Sequence, residues 1–155
     1  MLIVGCGCRG QALARALVAE GHAVRGTTRD RARLHAIAAA GAEPVLADPD
    51  RVGTLVQGLA GVTIVCRLLG GAASPALHGP RLRALLEKLV DTPVRGYVHE
   101  AAGAGDEALV HQAAETWSIP VAIVAPEPGI EAARSAIGAL LDSPGPGKTV
   151  KPIGI

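Results

Sequence analysis

The chain has 155 residues, of which 49% are hydrophobic, and a formal net charge of +1 at pH 7. This length suits one domain with a sizeable core, and we expect the chain to fold alone or as a small homo-oligomer. The near-neutral charge, with one Trp, one Tyr and no Phe, disfavours nucleic acid as a partner, because that binding needs basic patches and stacking side chains.

Membranes and oxidising compartments are also disfavoured. Glycine, proline or charge interrupts every apolar stretch before the roughly 20 residues that a membrane span requires. Three cysteines, Cys6, Cys8 and Cys66, are too few and odd in number for a disulfide framework, and no signal peptide precedes the first apolar run. These features predict a cytoplasmic protein.

Short apolar runs alternate with segments of helical periodicity, which is typical of parallel strands joined by crossover helices. Gly21 and Gly41 fit helix C-terminal caps, while Asp30 and Asp106 fit N-terminal caps. The predicted strands are residues 2–5, 23–26, 44–47, 62–66, 96–99 and 121–125. The predicted helices are residues 9–20, 30–40, 50–59, 75–90, 106–117 and 129–141.

The first strand leads directly into a glycine-rich turn and an amphipathic helix, "LIVGCGCRGQALARALVAEG". The spacing of Gly5, Gly7 and Gly10 is the dinucleotide-binding pattern: a tight turn, room for a pyrophosphate and close helix packing. The helix start, including Cys8 and Arg9, then faces the anion with free N–H groups. This motif predicts a single doubly wound Rossmann domain over residues 1–141, α/β in class, with six parallel strands in the order 3-2-1-4-5-6 and helices on both faces.

Other interpretations of the turn are weaker. A metal site needs about four converging ligands, and "CGC" offers two, so we predict no metal. A reactive thiol at Cys8 has no resolving partner placed by the sequence. A turn that merely packs tightly is the remaining structural alternative.

The end of the second strand indicates which dinucleotide is preferred. NAD-binding domains place a carboxylate there, whereas this chain has Thr27, Thr28 and Arg29. Hydroxyls and a guanidinium suit a 2′-phosphate, so NADP is favoured over NAD. We assign Arg31 and Arg33 to the solvated face of the second helix. The same absence of an acidic clamp argues against S-adenosylmethionine.

Residues 142–155, "DSPGPGKTVKPIGI", contain too much proline and glycine for a helix or a central strand and are predicted to form a C-terminal tail. The segment superficially resembles a phosphate loop. However, Asp142 stands where the first glycine is needed, and too few residues follow Thr149 for the required helix. These departures argue against a nucleoside triphosphatase.

The first 50 residues resemble the N-terminal half of extended and atypical short-chain dehydrogenase/reductases, the superfamily that contains epimerase/dehydratase enzymes. "LVQGLAGVTIVCRLLGG" and "TWSIPVAIVAPEPG" continue the resemblance. It implies cofactor contacts from Asp48 toward the adenine, and from Leu68, Leu69 and Gly70 along the ribose and nicotinamide.

The catalytic residues of that superfamily are not matched. Ala101 and Ala102 stand where the family has its serine, and its tyrosine and lysine map to Glu107 and His111. The family's substrate portion has no counterpart in this sequence, and we assign Tyr97, inside a predicted strand, to the core.

Two functions remain open. The first is a binding or regulatory module that holds NADP(H) without the family's catalysis. The second is a small NADP-dependent oxidoreductase or epimerase that uses His99, Glu100 or His111 as acid or base, or residues of a partner subunit. His99 and Glu100 are candidates because both stand at the carboxyl end of a strand, beside the expected cofactor crevice.

Overall fold

A computed structural model describes residues 1–143 of the chain. Six strands form one parallel sheet in the order β3-β2-β1-β4-β5-β6, which confirms the predicted topology and fold class. The strands are β1 Leu2–Val4, β2 Arg25–Thr28, β3 Glu43–Leu46, β4 Ile64–Arg67, β5 Gly96–Glu100 and β6 Val121–Val124. Because the order reverses between β1 and β4, a crevice opens at the carboxyl edge of these two strands.

Seven helices connect the strands in the described part of the chain, and short 3₁₀ turns at Arg31–Arg33 and Gln57–Leu59 flank two of them. The helices are α1 Cys8–Ala19, α2 Leu34–Ala39, α3 Val52–Val56, α4 Pro75–His78, α5 Pro80–Leu89, α6 Ala104–Trp117 and α7 Glu131–Asp142. Among residues 1–143, none of these helices is long and apolar enough to cross a membrane. The predicted tail lies outside the described residues, except for Asp142 and Ser143.

Alternating side chains of the central strands build a core on each face of the sheet. Leu2, Val4 and Val65 pack toward α3, α5 and α6, while Ile3 packs toward α1, α2 and α7. Tyr97 is fully buried on the first of these faces, as predicted. Continuous apolar strands are expected where helices cover both faces of a sheet.

Several predicted boundaries differ from the structure, and three of the differences have local physical reasons. The predicted helix 75–90 is two helices, α4 and α5, because Pro80 lacks an N–H donor and restricts the residue before it, Gly79. β2 begins two residues later than predicted, at Arg25, because its polar residues pair with β1 and β3. Asp106 is not the N-cap of α6 but its third residue, and Gly103 is the N-cap.

The other predicted caps agree with the structure. The carboxylate of Asp30 accepts a hydrogen bond from the backbone N–H of Ala32. Gly21 and Gly41 follow the last residues of α1 and α2 with φ values of 93° and 89°, a conformation that glycine adopts without strain.

Candidate functional site

The turn between β1 and α1 is shaped by the first and third glycines of the motif. Gly5 has a φ of 84°, and a Cβ on it would lie 2.6 Å from Leu69 Cδ2 and 2.9 Å from the Leu68 carbonyl oxygen. A Cβ on Gly10 would lie 3.0 Å from the Gly5 carbonyl oxygen. These two positions therefore require glycine for the backbone path and for the packing of α1.

Gly7 differs from them, because a Cβ there would meet nothing within 4 Å. Gly7 is the N-cap of α1 and gives the helix no side-chain cap, and the first turn carries no acidic residue. The N–H groups of Cys8, Arg9 and Gly10 have no partner within the helix. Open space in front of free N–H groups at a positive helix end is suited to an anionic group.

A cleft of about 280 Å³, here called the main cleft, extends from this turn across the ends of β2 and β3. Its lining combines backbone of the glycine turn with hydroxyl, guanidinium and apolar side chains: Gly5, Cys6, Gly7, Thr27, Thr28, Arg29, Arg33, Ala47, Pro49, Leu69, Ala72 and Leu77. Arg33, predicted to belong to the solvated face of the second helix, is 65% exposed and also lines this cleft, with its Nε 3.7 Å from Asp30 Oδ2. Arg31 is exposed and does not belong to the lining.

The threonines at the end of β2 have different partners. Thr27 is buried, and its Oγ1 accepts a hydrogen bond of 3.2 Å from the Gly5 backbone N–H. Thr28 Oγ1 accepts from the Asp30 backbone N–H at 3.1 Å. The side chain of Arg29 is exposed, and within residues 1–143 no carboxylate lies within ion-pair distance of it.

The remaining predicted contacts border the same edge of the sheet. Asp48 follows β3, but its carboxylate accepts from the Asp50 backbone N–H, and only its neighbours line the main cleft. Leu69 lines the main cleft, whereas Leu68 lines a second cleft of about 250 Å³ with Cys8, Arg9 and the three motif glycines. Gly70 follows directly and packs against Glu100 and Ala101.

Glu100 and His99 do not project into an open crevice. Glu100, at the end of β5, is 1% exposed and forms an ion pair with Arg9 on α1. His99 is fully buried on the opposite face of β5, where it contacts Asp106 and Tyr97.

The buried network around His99 is held by complementary donors and acceptors. His99 Nε2 lies 2.7 Å from Asp106 Oδ2, and its Nδ1 lies 3.0 Å from the Tyr97 hydroxyl. Burial lowers the pKa of His99. Burial alone would raise the pKa of Asp106, but the backbone N–H groups of Ala102 and Gly103 and the His99 imidazole lower it to about 2. We therefore assign Asp106 as a carboxylate and His99 as neutral, with the proton on Nε2.

A third cleft, of about 330 Å³, opens at the ends of β5 and β6, where the superfamily would place its catalytic residues. Ala101 and Ala102 line it together with Glu107, the only titratable residue in its lining within the described chain. His111 lies one helical turn beyond Glu107, exposed on α6 and outside this lining. Within residues 1–143, no group of three or more His, Cys, Asp or Glu side chains could hold a metal ion.

The residues of the two buried networks, Arg9 with Glu100 and His99 with Tyr97 and Asp106, were not predicted to contact one another. Arg9 and Glu100 are 91 positions apart, and only the pairing of β4 with β1 and β5 brings them together. For His99, the available signal was an acidic residue seven positions later at a predicted helix start.

The residues at this edge fit a dinucleotide. Gly7 leaves space where a pyrophosphate would meet the helix N–H groups, and the main cleft continues from there toward two arginines. When bound, a nicotinamide dinucleotide supplies a hydride donor or acceptor.

Solved structures share this fold at low sequence identity. A mutant of UDP-glucuronic acid 4-epimerase from Bacillus cereus, in complex with NAD, matches with a TM-score of 0.62 and 16% identity, over 80% of this chain and 55% of its own. Triphenylmethane reductase from Citrobacter sp., complexed with NADP(H), matches with a TM-score of 0.64 and 15% identity, over 79% of this chain and 47% of its own. dTDP-glucose 4,6-dehydratase from Streptomyces venezuelae, with NAD bound, matches with a TM-score of 0.61 and 19% identity, over 81% of this chain and 55% of its own.

The chain thus spans about half the length of these structures, and the resemblance to epimerase and dehydratase proteins is confirmed for the fold. No curated protein sequence matches the chain. Residues 5–135, well over half of the chain, match the NAD(P)H-binding domain family. That match includes the glycine turn, the main cleft and both buried networks, and the chain belongs to the NAD(P)H-binding family.

Proposed function

We propose that this domain binds NADP(H) in preference to NAD(H). The observation that carries the proposal is the lining of the main cleft at the end of β2. There Arg29 and Arg33 stand beside Thr28, and no Asp or Glu belongs to the part of this lining that the described chain forms. Guanidinium groups bind phosphate through forked, charge-assisted hydrogen bonds, whereas a carboxylate would accept from ribose hydroxyls and repel a 2′-phosphate.

The proposal assigns the remaining groups of the dinucleotide along the same edge. The pyrophosphate lies at Gly5, Gly7 and Gly10, near the N–H groups of Cys8 and Arg9. The adenine lies toward Asp48, while the second ribose and the nicotinamide lie along Leu68, Leu69 and Gly70. The structural relatives were solved with NADP(H) or with NAD, so they support the dinucleotide and leave the preference to the arginines.

The arginines provide a direct test with a matched control. We expect Arg29→Ala to weaken NADPH binding by about 1.5–3 kcal/mol, the range of a charge-assisted hydrogen bond, and to leave NADH affinity unchanged. Arg33→Ala should act in the same direction. Arg31→Ala removes the same charge two residues after Arg29 but outside the cleft, and should change neither affinity by more than about twofold.

Titration calorimetry of each variant with both cofactors measures these effects. If Arg31→Ala weakened NADPH binding as much as Arg29→Ala, the loss would come from the change in net charge and not from a contact in the cleft, and the proposal would fail. The proposal would also fail if Arg29→Ala weakened NADH and NADPH equally.

We further propose that the bound cofactor is held without turnover of the superfamily's type. The third cleft is lined by Ala101 and Ala102, which carry no proton donor. His99 and Glu100 are buried in satisfied contacts, and His111 lies outside the cleft. General acid catalysis contributes about a hundred- to ten-thousandfold and requires a correctly placed group.

Glu107 is the one observation that favours the alternative, a small NADP-dependent oxidoreductase or epimerase with non-standard acid–base residues. Its carboxylate lines the third cleft at the position of the superfamily's tyrosine. A screen of carbonyl and sugar-nucleotide substrates with NADP(H) at saturation separates the two functions. We expect no turnover, whereas turnover that disappears in Glu107→Gln or His111→Ala would establish the enzyme.

A further inference from the structure

Three chain segments meet at Glu100, which ends β5 at the carboxyl edge of the sheet. Its Oε2 pairs with the Arg9 guanidinium on the first turn of α1. Its Oε1 accepts a hydrogen bond of 3.0 Å from the backbone N–H of Gly70, in the turn that follows β4. One carboxylate therefore joins the end of β5 to the turns on both sides of the crevice.

The packing around this carboxylate is tight enough to fix its position. A Cβ on Gly70 would lie 2.7 Å from Glu100 Cγ and 2.7 Å from the Ala101 carbonyl oxygen, so the turn approaches β5 as closely as glycine permits. Glu100 is 1% exposed, and a carboxylate at that depth is stable only when paired and hydrogen-bonded. Both of its oxygens meet that condition.

The side of Arg9 that faces away from Glu100 borders the second cleft and solvent. The side chain is about 35% exposed and lines the second cleft with Gly7, Cys8 and Leu68, next to the unpaired helix N–H groups. A phosphate at the helix start would therefore sit near a guanidinium whose position is set by Glu100.

We propose that Glu100 is a positioning residue that couples the phosphate-binding turn to the turn assigned to the nicotinamide. This inference rests on the proposed function. Glu100 does not touch the dinucleotide. It acts through Arg9 on one side of the crevice and through Gly70 on the other, so that pyrophosphate and nicotinamide are held in one geometry.

The coupling predicts that loss of Glu100 weakens a ligand that spans both turns more than a ligand that reaches only the phosphate-binding turn. In Glu100→Gln, one amide oxygen replaces two acceptors, and the amide NH₂ faces a donor from either Arg9 or Gly70. We expect NADPH affinity to fall at least about tenfold, the lower end for a charge-assisted hydrogen bond. Adenosine 2′,5′-bisphosphate keeps a phosphate for the turn beside Arg9 but lacks the nicotinamide half held through Gly70, so its affinity should fall clearly less than that of NADPH.

The experiment measures both ligands by calorimetry and the fluorescence of bound NADPH, whose nicotinamide emission reports the environment of the ring. Asp106→Asn is the matched control, because it removes a buried carboxylate on the opposite face of β5 that also accepts backbone N–H groups. We expect Asp106→Asn to destabilise the fold to a similar degree and to leave the ratio of the two affinities unchanged. If Glu100→Gln does not fold, Arg9→Lys keeps the positive charge, loses the guanidinium contact to Glu100 and should also weaken NADPH more than the bisphosphate.

The outcomes separate the two proposals. A selective loss of NADPH affinity together with altered nicotinamide emission supports the positioning role. Equal losses for both ligands, or no loss, would overturn it while leaving the proposed function in place. A wild-type chain that binds neither ligand would contradict the proposed function, and the positioning role with it.

Discussion

Gly7→Val should separate cofactor binding from folding. Gly7 is the N-cap of α1, with a φ of −79° that any residue can adopt, and a Cβ there meets nothing within 4 Å. Valine is a poorer N-cap than glycine, so we expect a cost of about 1 kcal/mol, or a melting temperature about 2–4 °C lower. Its methyl groups would occupy the space in front of the helix N–H groups, which the dinucleotide's pyrophosphate needs.

Gly7→Val, which should remove binding, can be compared with Gly5→Ala, which should destabilise the fold. Losing two charge-assisted hydrogen bonds at the helix start would cost about 3–6 kcal/mol, so NADPH affinity should fall by at least about a hundredfold in Gly7→Val. Gly5→Ala is the contrasting variant, because Gly5 has a φ of 84° and its Cβ would overlap Leu69. Left-handed strain of about 1–2 kcal/mol and overpacking of about 1–3 kcal/mol should destabilise it by roughly 2–5 kcal/mol.

Thermal unfolding and NADPH titration of both variants give the answer. The reasoning about Gly7 would be refuted if Gly7→Val retained wild-type affinity, or if it unfolded at a temperature as low as Gly5→Ala. The first result would place the phosphate elsewhere. The second would mean that the space beside Gly7 is occupied in the folded protein.

Two further predictions follow from the thiols and the buried network. Burial raises the pKa of Cys6 to about 11 and of Cys66 to about 12, whereas Cys8 is exposed at the start of α1. A thiol reagent should therefore modify one cysteine per native chain, and NADPH should slow that reaction; rapid modification of all three would contradict the packing. Asp106 has a pKa of about 2, below its usual 3.8. Above about pH 4 this carboxylate therefore stabilises the folded chain by about 2 kcal/mol, and that contribution is lost as the pH falls toward 2. The lowered pKa of His99 adds a loss below about pH 6.5, because the unfolded chain then binds a proton that the native chain does not. Denaturant unfolding should show Asp106→Asn to be less stable at pH 7 but less sensitive between pH 4 and 2, and parallel pH profiles would contradict this assignment.

The topology could be predicted because two independent signals agree. Apolar runs alternate with helical periodicity, and the glycine spacing at Gly5, Gly7 and Gly10 specifies the first strand–turn–helix unit. The errors arose where local chemistry competes with that pattern. An apolar pair, Ala23 and Val24, marked the start of the second strand, but the strand begins at Arg25, whose polar neighbours pair on both sides.

The candidate site could be predicted only where its residues are close in the sequence. The glycine turn and the residues at the end of β2 are each one continuous segment. The residue types in these segments indicate phosphate binding directly. The contact of Arg9 with Glu100 depends instead on which strands are neighbours and on how far each side chain reaches. Arg33, which the helical pattern assigned to the solvated face, lies in a 3₁₀ turn after β2 and lines the main cleft as well.

The assignment of the cleft at the end of β2 depends on the preference of the wild-type chain for one dinucleotide. We propose titration of the same preparation with NADPH and with NADH under identical salt conditions. One site per chain is expected, with NADPH bound at least about tenfold more tightly, because a 2′-phosphate adds a charge-assisted hydrogen bond at Arg29. Equal affinities, or tighter binding of NADH, would contradict the assignment of the cleft at the end of β2.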